Sequence, residues 1–173
     1  GLAESEILEA LGQAGKPLPR ATWSPLYLAM ADSLISRAGL LSFAHDFLRQ
    51  AARAAYLPSE AHQSQAHRRL ADYFARQPAS PRRTDELPWQ LAAAGAWQPL
   101  YELLATPAFF SDAWEINSSE VKTYWVQIEA GSPLRLLDAY RPALERPEAE
   151  TDMAYLTRLG HLLRASGHLD EAL

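Results

Sequence analysis

Residues 86–104 read ELPWQLAAAGAWQPLYELL. Leu87 and Leu91 stand one helical turn apart, Gly95 follows Leu91 by four residues, and Leu100 comes five after the glycine. A glycine placed so ends one helix and lets the next begin, because it adopts the left-handed cap conformation without steric cost. The punctuation recurs. Ala94-Gly95, Ala130-Gly131 and Ser166-Gly167 are separated by 36 residues both times. Leu91 and Leu163 precede their glycines by four, Leu87 and Leu159 by eight, and Leu100, Leu136 and Ala172 follow by five. The middle unit matches worst: Thr123 and Gln127 stand where the others have leucine, and residues 106–117 (TPAFFSDAWEIN) intervene. Evenly spaced glycines also arise by chance, but the leucines in phase favour a repeat. The period lies in the range of helical-hairpin repeats. One such hairpin cannot bury its apolar stripe alone, and stacked neighbours bury it for one another.

Toward the N-terminus the spacing predicts a helix over 3–11, with Ile7, Leu8 and Leu11 on one face, broken by Gly12, Gly15, Pro17 and Pro19. A second is expected over 23–33. Two short apolar runs, 34–36 and 40–43, then flank Arg37-Ala38-Gly39, which is a hairpin signal. Helical period returns over 45–56 and again over 60–77, where Ala66, Leu70, Tyr73 and Phe74 share a face. Helices, then a hairpin, then a helix leaving it describe a winged-helix unit. Residues 78–84 (PASPRRT) read as a linker. The expected fold is therefore mainly α. A winged-helix module with a short β-hairpin, together with the helix that follows it, fills 1–77. Right-handed α-helical hairpins form an arm over 84–150, and a further repeat starts at 151–173.

The totals narrow the function. The chain has 173 residues, no cysteine and a net charge of −5. Disulfides and thiolate metal sites are excluded, and no global positive field draws nucleic acid or an anionic membrane. No apolar run nears the roughly 20 residues of a membrane span, and the N-terminal acids do not suit a signal peptide. A cytoplasmic location is the default. Residues 1–45 carry only Lys16, Arg20 and Arg37 as cations, none inside an expected helix, where a DNA-reading helix would carry several.

No nucleophile, acid–base pair or metal cluster assembles, so no enzyme is expected. His62 and His67 are five apart, wrong for two ligands on one helical face. His161 and His168 straddle a helix end. Arg68-Arg69 and Arg82-Arg83 are the strong basic clusters; a solvated surface is favoured for both, with phosphate or an acidic partner as the alternative. Trp89, Trp97, Trp114 and Trp125, with Phe109 and Phe110, are expected in the core between arm helices, Trp114 and Phe110 being the expected exceptions.

Leu156, Leu159, Gly160, Leu163, Gly167 and Ala172 resemble the first five-eighths of a tetratricopeptide repeat, with Leu163 where that family usually has an aromatic residue. The sequence stops at Leu173, inside the second helix of this hairpin, which raises the expectation of a longer chain with further repeats. The runs LLSFAHDFLRQAARAAYL (40–57), HRRLADYF (67–74) and ELPWQLAAAGAWQPLYELL (86–104) resemble the region after the nucleotide-binding core in STAND-class ATPases, the NACHT and NB-ARC-like switch proteins. That resemblance, over about 1–115, implies a winged helix packed on an ATPase core, then a helical arm and a repeat sensor. It implies partners too: a P-loop ATPase domain of the same chain, and a protein ligand on the repeats. It also implies that His45-Asp46 lies near bound ADP, though Ala44 replaces the methionine of the plant motif. An imidazole N–H at a helix start can donate to a phosphate oxygen. The other reading of His45 is a polar residue at a helix start, with Asp46 favourable to the helix dipole. The phosphate-cradling G-x-x-x-x-G-K-[ST] does not occur, so ADP or ATP belongs to the parent protein and no cofactor to this stretch. Two rivals remain: a DNA-binding winged-helix regulator, and a plain scaffold whose repeats bind peptides.

Overall fold

The computed structural model describes residues 1–13, 15–146 and 152–168. It divides into two compact units, Gly1–Gln63 and Ser64–Leu173.

The first unit opens with β1 (Leu2–Ala3) and α1 (Glu4–Ala10), followed by α2 (Arg20–Met30) and a 3-10 turn over Ala31–Ser33. The expected hairpin is present as β2 (Leu34–Arg37) and β3 (Leu40–Phe43), and α3 (Asp46–Tyr56) leaves it. β3 is the centre of an antiparallel sheet ordered β1-β3-β2. Leu2 pairs with Leu41 and Ala3 with Leu40, a strand the helical reading of 3–11 absorbed. The two-residue loop Ala38-Gly39 has φ of 50° and 81°, so both residues are left-handed. That geometry matches the twist of the flanking strands. Arg20, expected in a loop, opens α2. Among the described residues of this unit only Leu8 and Trp23 are buried, while Leu28, Phe47 and Tyr56 stand largely exposed.

The second unit begins within α4 (Glu60–Ala75) and continues with α5 (Pro81–Ala93), α6 (Trp97–Ala105), α7 (Pro107–Gly131), α8 (Leu136–Glu145) and α9 (Met153–Ala165). The expected linker over 78–84 is shorter. Ser80 accepts from the Arg83 N–H at 3.2 Å and Pro81 takes the first helical position, so the S-P pair starts a helix. Pro25, Pro88 and Pro142 lie inside α2, α5 and α8.

The repeat phase appears as burial. Leu87 and Leu159, Leu91 and Leu163, and Leu100 and Leu136 are all buried. Gly95 and Gly167 have φ of 64° and 85° and close their helices identically. The glycine N–H bonds three residues back and the next N–H bonds five back, Ala96 to Leu91 O and His168 to Leu163 O, both at 2.9 Å. That is a left-handed cap satisfying two terminal carbonyls. Gly131 corrects the expectation. It ends α7 without a left-handed turn, and its glycine is needed for space: a Cβ there would lie 2.6 Å from the Trp97 indole. Ala172, the last in-phase position, lies outside the described residues.

The intervening segment 106–117 is helical. α7 kinks at Asn117 (φ −158°, ψ 87°), whose Oδ1 accepts from the Glu120 N–H at 3.2 Å. Asn117 thus caps the helix over 118–131, as Ser80 caps α5 and Asp152 caps α9 through the Ala154 and Tyr155 N–H groups. Each repeat begins at such a cap and reaches its glycine fourteen or fifteen residues later.

The added helix 107–116 brings its own apolar cargo. Phe110 is fully buried against Tyr140 and Tyr155, with ring centroids 5.4 and 5.8 Å away. Trp125 meets Tyr101 and Tyr140 edge-on at 5.6 and 5.4 Å. Tyr140 donates its hydroxyl to Leu104 O at 2.9 Å, and burial pushes that phenol well above its usual range. Phe110 is therefore core and not an exception; the exposed tryptophan is Trp89, half accessible. Phe110 falls inside because the inserted helix presents it to the facing tyrosines.

Candidate functional site

His45 stands exposed as the N-cap of α3, with extended backbone (φ −128°, ψ 140°) and no side-chain capping bond. Its ring stacks on Phe47, centroids 5.4 Å apart and planes 12° from parallel. Asp46 is occupied by its own helix: it pairs with Arg49 and accepts from Gln50 Nε2 at 2.7 Å. Arg49 is therefore spent on a surface ion pair, the default for such a residue. Beside the imidazole, Phe43 and Phe47 are apolar and exposed.

His62 and His67 serve structure. His62 Nδ1 bonds Ser59 Oγ at 2.7 Å. His67 Nδ1 lies 2.8 Å from Gln90 Oε1 and its ring meets Trp89 edge-on. Gln90 is buried, and its Nε2 donates to Glu86 Oε2 at 3.0 Å, so His67 supplies the proton to Gln90. Glu86 in turn pairs with Arg82 at 2.7 Å, and Arg82 covers the Phe74 ring. This strap ties α4 to α5. Among the described residues no three metal-ligating side chains come together.

A groove of about 670 Å³ opens between α4, α5 and the start of α6. Its walls are Ala71, Leu87, Leu91, Trp97, Pro99 and Leu103, and its charged groups are Arg68, Asp72 and Arg83. The size and apolar lining suit a ligand site. The arginine pairs divide in an unexpected way. Arg82 pairs with Glu86 one turn on, whereas Arg83 has Leu87 at that spacing and Glu86, three residues on, is taken by Arg82. The Arg83 guanidinium lies over the Phe109 ring at 5.9 Å, and its Nε is shut from solvent with no acceptor. Among the described residues neither Arg68 nor Arg83 has a carboxylate partner. Sequence reading took both arginine clusters as solvated surface. The available signal was the lack of an acid four residues from Arg83, but the groove itself depends on how three helices meet.

No family model matches the chain, and no solved structure matches it. It is similar to tetratricopeptide repeat protein 41 of Rattus norvegicus, 28% identical over 178 residues. The match covers 87% of this chain and 13% of that protein. The chain is thus mainly helical with a small sheet and weakly related to a repeat-containing protein many times its length. No described helix is long and apolar enough to cross a membrane.

Proposed function

We propose that this chain is a non-catalytic protein-interaction segment whose paired helices form a scaffold for a partner polypeptide. The observation that carries this reading is the threefold recurrence of capped helix and glycine, the glycines 36 residues apart, with a second helix after each of the first two. The relative named for tetratricopeptide repeats supports it. Stacked hairpins offer an extended surface for polypeptides. The test is selection of displayed random dodecapeptides on the immobilised chain, with the winners resynthesised. Saturable binding that is lost on thermal unfolding is expected. If no selected sequence saturates, the scaffold reading fails.

A second, finer reading makes the first unit a winged-helix coupler of a STAND-type ATPase, the rest of that ATPase lying elsewhere in the parent chain. What favours it is the exposed imidazole of His45 on a helix start, flanked by the exposed rings of Phe43 and Phe47. In it, His45 donates to a terminal phosphate of ADP held by the P-loop domain, and the apolar rings dock on that domain. The differential contact biases a closed state, coupling of this kind being worth about 1–3 kcal/mol. His45→Leu in the full-length protein should then release ADP faster, about 5- to 150-fold in retention, and raise basal activity. Unchanged ADP retention in that variant removes the reading.

A further inference from the structure

We propose that the groove between α4, α5 and α6 holds an acidic, apolar-sided peptide segment of a partner protein, its carboxylates seated on Arg68 and Arg83. This rests on the scaffold reading above and specifies its ligand.

Two observations converge. The walls are apolar, with Leu87, Leu91 and Trp97 able to receive side chains. Arg68 and Arg83, neither with a carboxylate partner among the described residues, border the same space. The guanidinium fork fits a carboxylate in two-pronged fashion. An incoming carboxylate would give these arginines the anionic partner that the free protein does not supply.

Charge selects among ligands. Asp72 sits beside the two arginines, so the three charged groups sum to a single positive charge. A dense polyanion such as a nucleic-acid backbone would meet Asp72 as repulsion. A peptide can place a carboxylate on each arginine and a backbone N–H toward Asp72. A lone small anion would leave most of the 670 Å³ and its apolar walls unused.

The test uses the whole chain and three fluorescein-labelled, end-capped dodecapeptide pools, composed of Leu with Glu, Leu with Ser, or Leu with Lys. Binding is read by fluorescence anisotropy. The Leu/Glu pool should saturate, at least about tenfold tighter than the other two. Arg68→Glu, at an exposed position, should weaken it about tenfold or more. Arg83→Gln should do likewise where circular dichroism shows the helices intact. Ala75→Glu adds a negative charge at the exposed rim without altering either arginine, and should weaken the same pool. Equal binding to wild type and to these variants would overturn the proposal, as would saturation by the Leu/Lys pool or no binding by any pool. Sodium laurate, a single-chain carboxylate, is the last arm; if it fills the site while the Leu/Glu pool does not, the groove takes small amphiphiles and the peptide assignment is overturned. Library-selected peptides that bind wild type and Arg68→Glu alike would retain the scaffold reading and sink this site alone.

Discussion

Trp125→Ala is expected to destabilise the second unit by about 3–5 kcal/mol, the cost of emptying a large aromatic site in a packed core. Trp125 is 1% exposed and meets Tyr101 and Tyr140 edge-on. Each such ring pair adds roughly 0.5–1.5 kcal/mol beyond buried area. Tyr140 would lose a neighbour while still donating to Leu104 O, so the link between α8 and α6 would loosen with it. Domains of this size hold about 5–15 kcal/mol in total, so the loss takes a large share. Guanidinium denaturation followed by far-ultraviolet circular dichroism measures it. Trp89→Ala is the control: that ring is half exposed and stands edge-to-face with His67, so its removal should cost less than about 1 kcal/mol. A small effect at Trp125, or an equal one at Trp89, would mean the aromatic cluster does not carry the fold.

Gly131→Val is the second large effect. In a helix a glycine normally weakens stability, and replacing it with alanine gains up to about 1 kcal/mol. Here the sign should reverse, because the new Cβ would lie 2.6 Å from Cε2 and Nε1 of Trp97. Overpacking of that kind costs about 1–3 kcal/mol, and the branched valine has less room to turn aside than alanine. Gly131→Val should therefore lower stability by about 2–3 kcal/mol, and Gly131→Ala, which adds the same Cβ without the branch, by about 1 kcal/mol. The cause is checked by a double-mutant cycle with Trp97→Ala, which removes the ring. The valine penalty should shrink by more than half in that background. An unchanged penalty would place the constraint in the backbone instead. Gly95 behaves differently, since nothing lies within 4 Å of its missing side chain and only its left-handed φ resists substitution.

These two glycines show what a single sequence can and cannot carry. Both stood in one phase, but burial follows it fully only around Gly95 and Gly167; at Gly131 Leu136 is buried in step, whereas Thr123 and Gln127 are exposed and the buried face of 118–131 (Val121, Tyr124, Trp125, Ile128) lies one residue out of register. Gly95 could be read correctly because a helix end leaves a local mark. Gly131 could not, since its reason is an indole arriving from α6. The hairpin at 34–43 was legible through its apolar runs and Gly39. The pairing of Leu2–Ala3 with β3 was not, because two residues carry no period and their partners lie far along the chain. The helix over 107–116 hid as an interruption. Its signal was local all the same: N-S-S-E at 117–120 is a cap followed by an acid three residues on, and T-P at 106–107 sets proline at a helix start. Of the site, His45 was placed correctly at a helix start, whereas the stacking on Phe47 depends on side-chain angles no pattern states. The groove was illegible for a further reason. Arg68, Arg83 and Trp97 lie on three helices, and only packing brings them to one space.

The scaffold reading stands on hairpins that bury one another's apolar stripes. Native-state amide hydrogen exchange of the free chain tests that directly. Core amides of α5, α6, residues 118–131, α8 and α9 should open with one shared free energy, equal to that of global unfolding, because Phe110, Trp125, Tyr140 and Tyr155 join them. Exchange of α8 or α9 amides at the rate of an unfolded chain, while α5 and α6 remain protected, would contradict the stack.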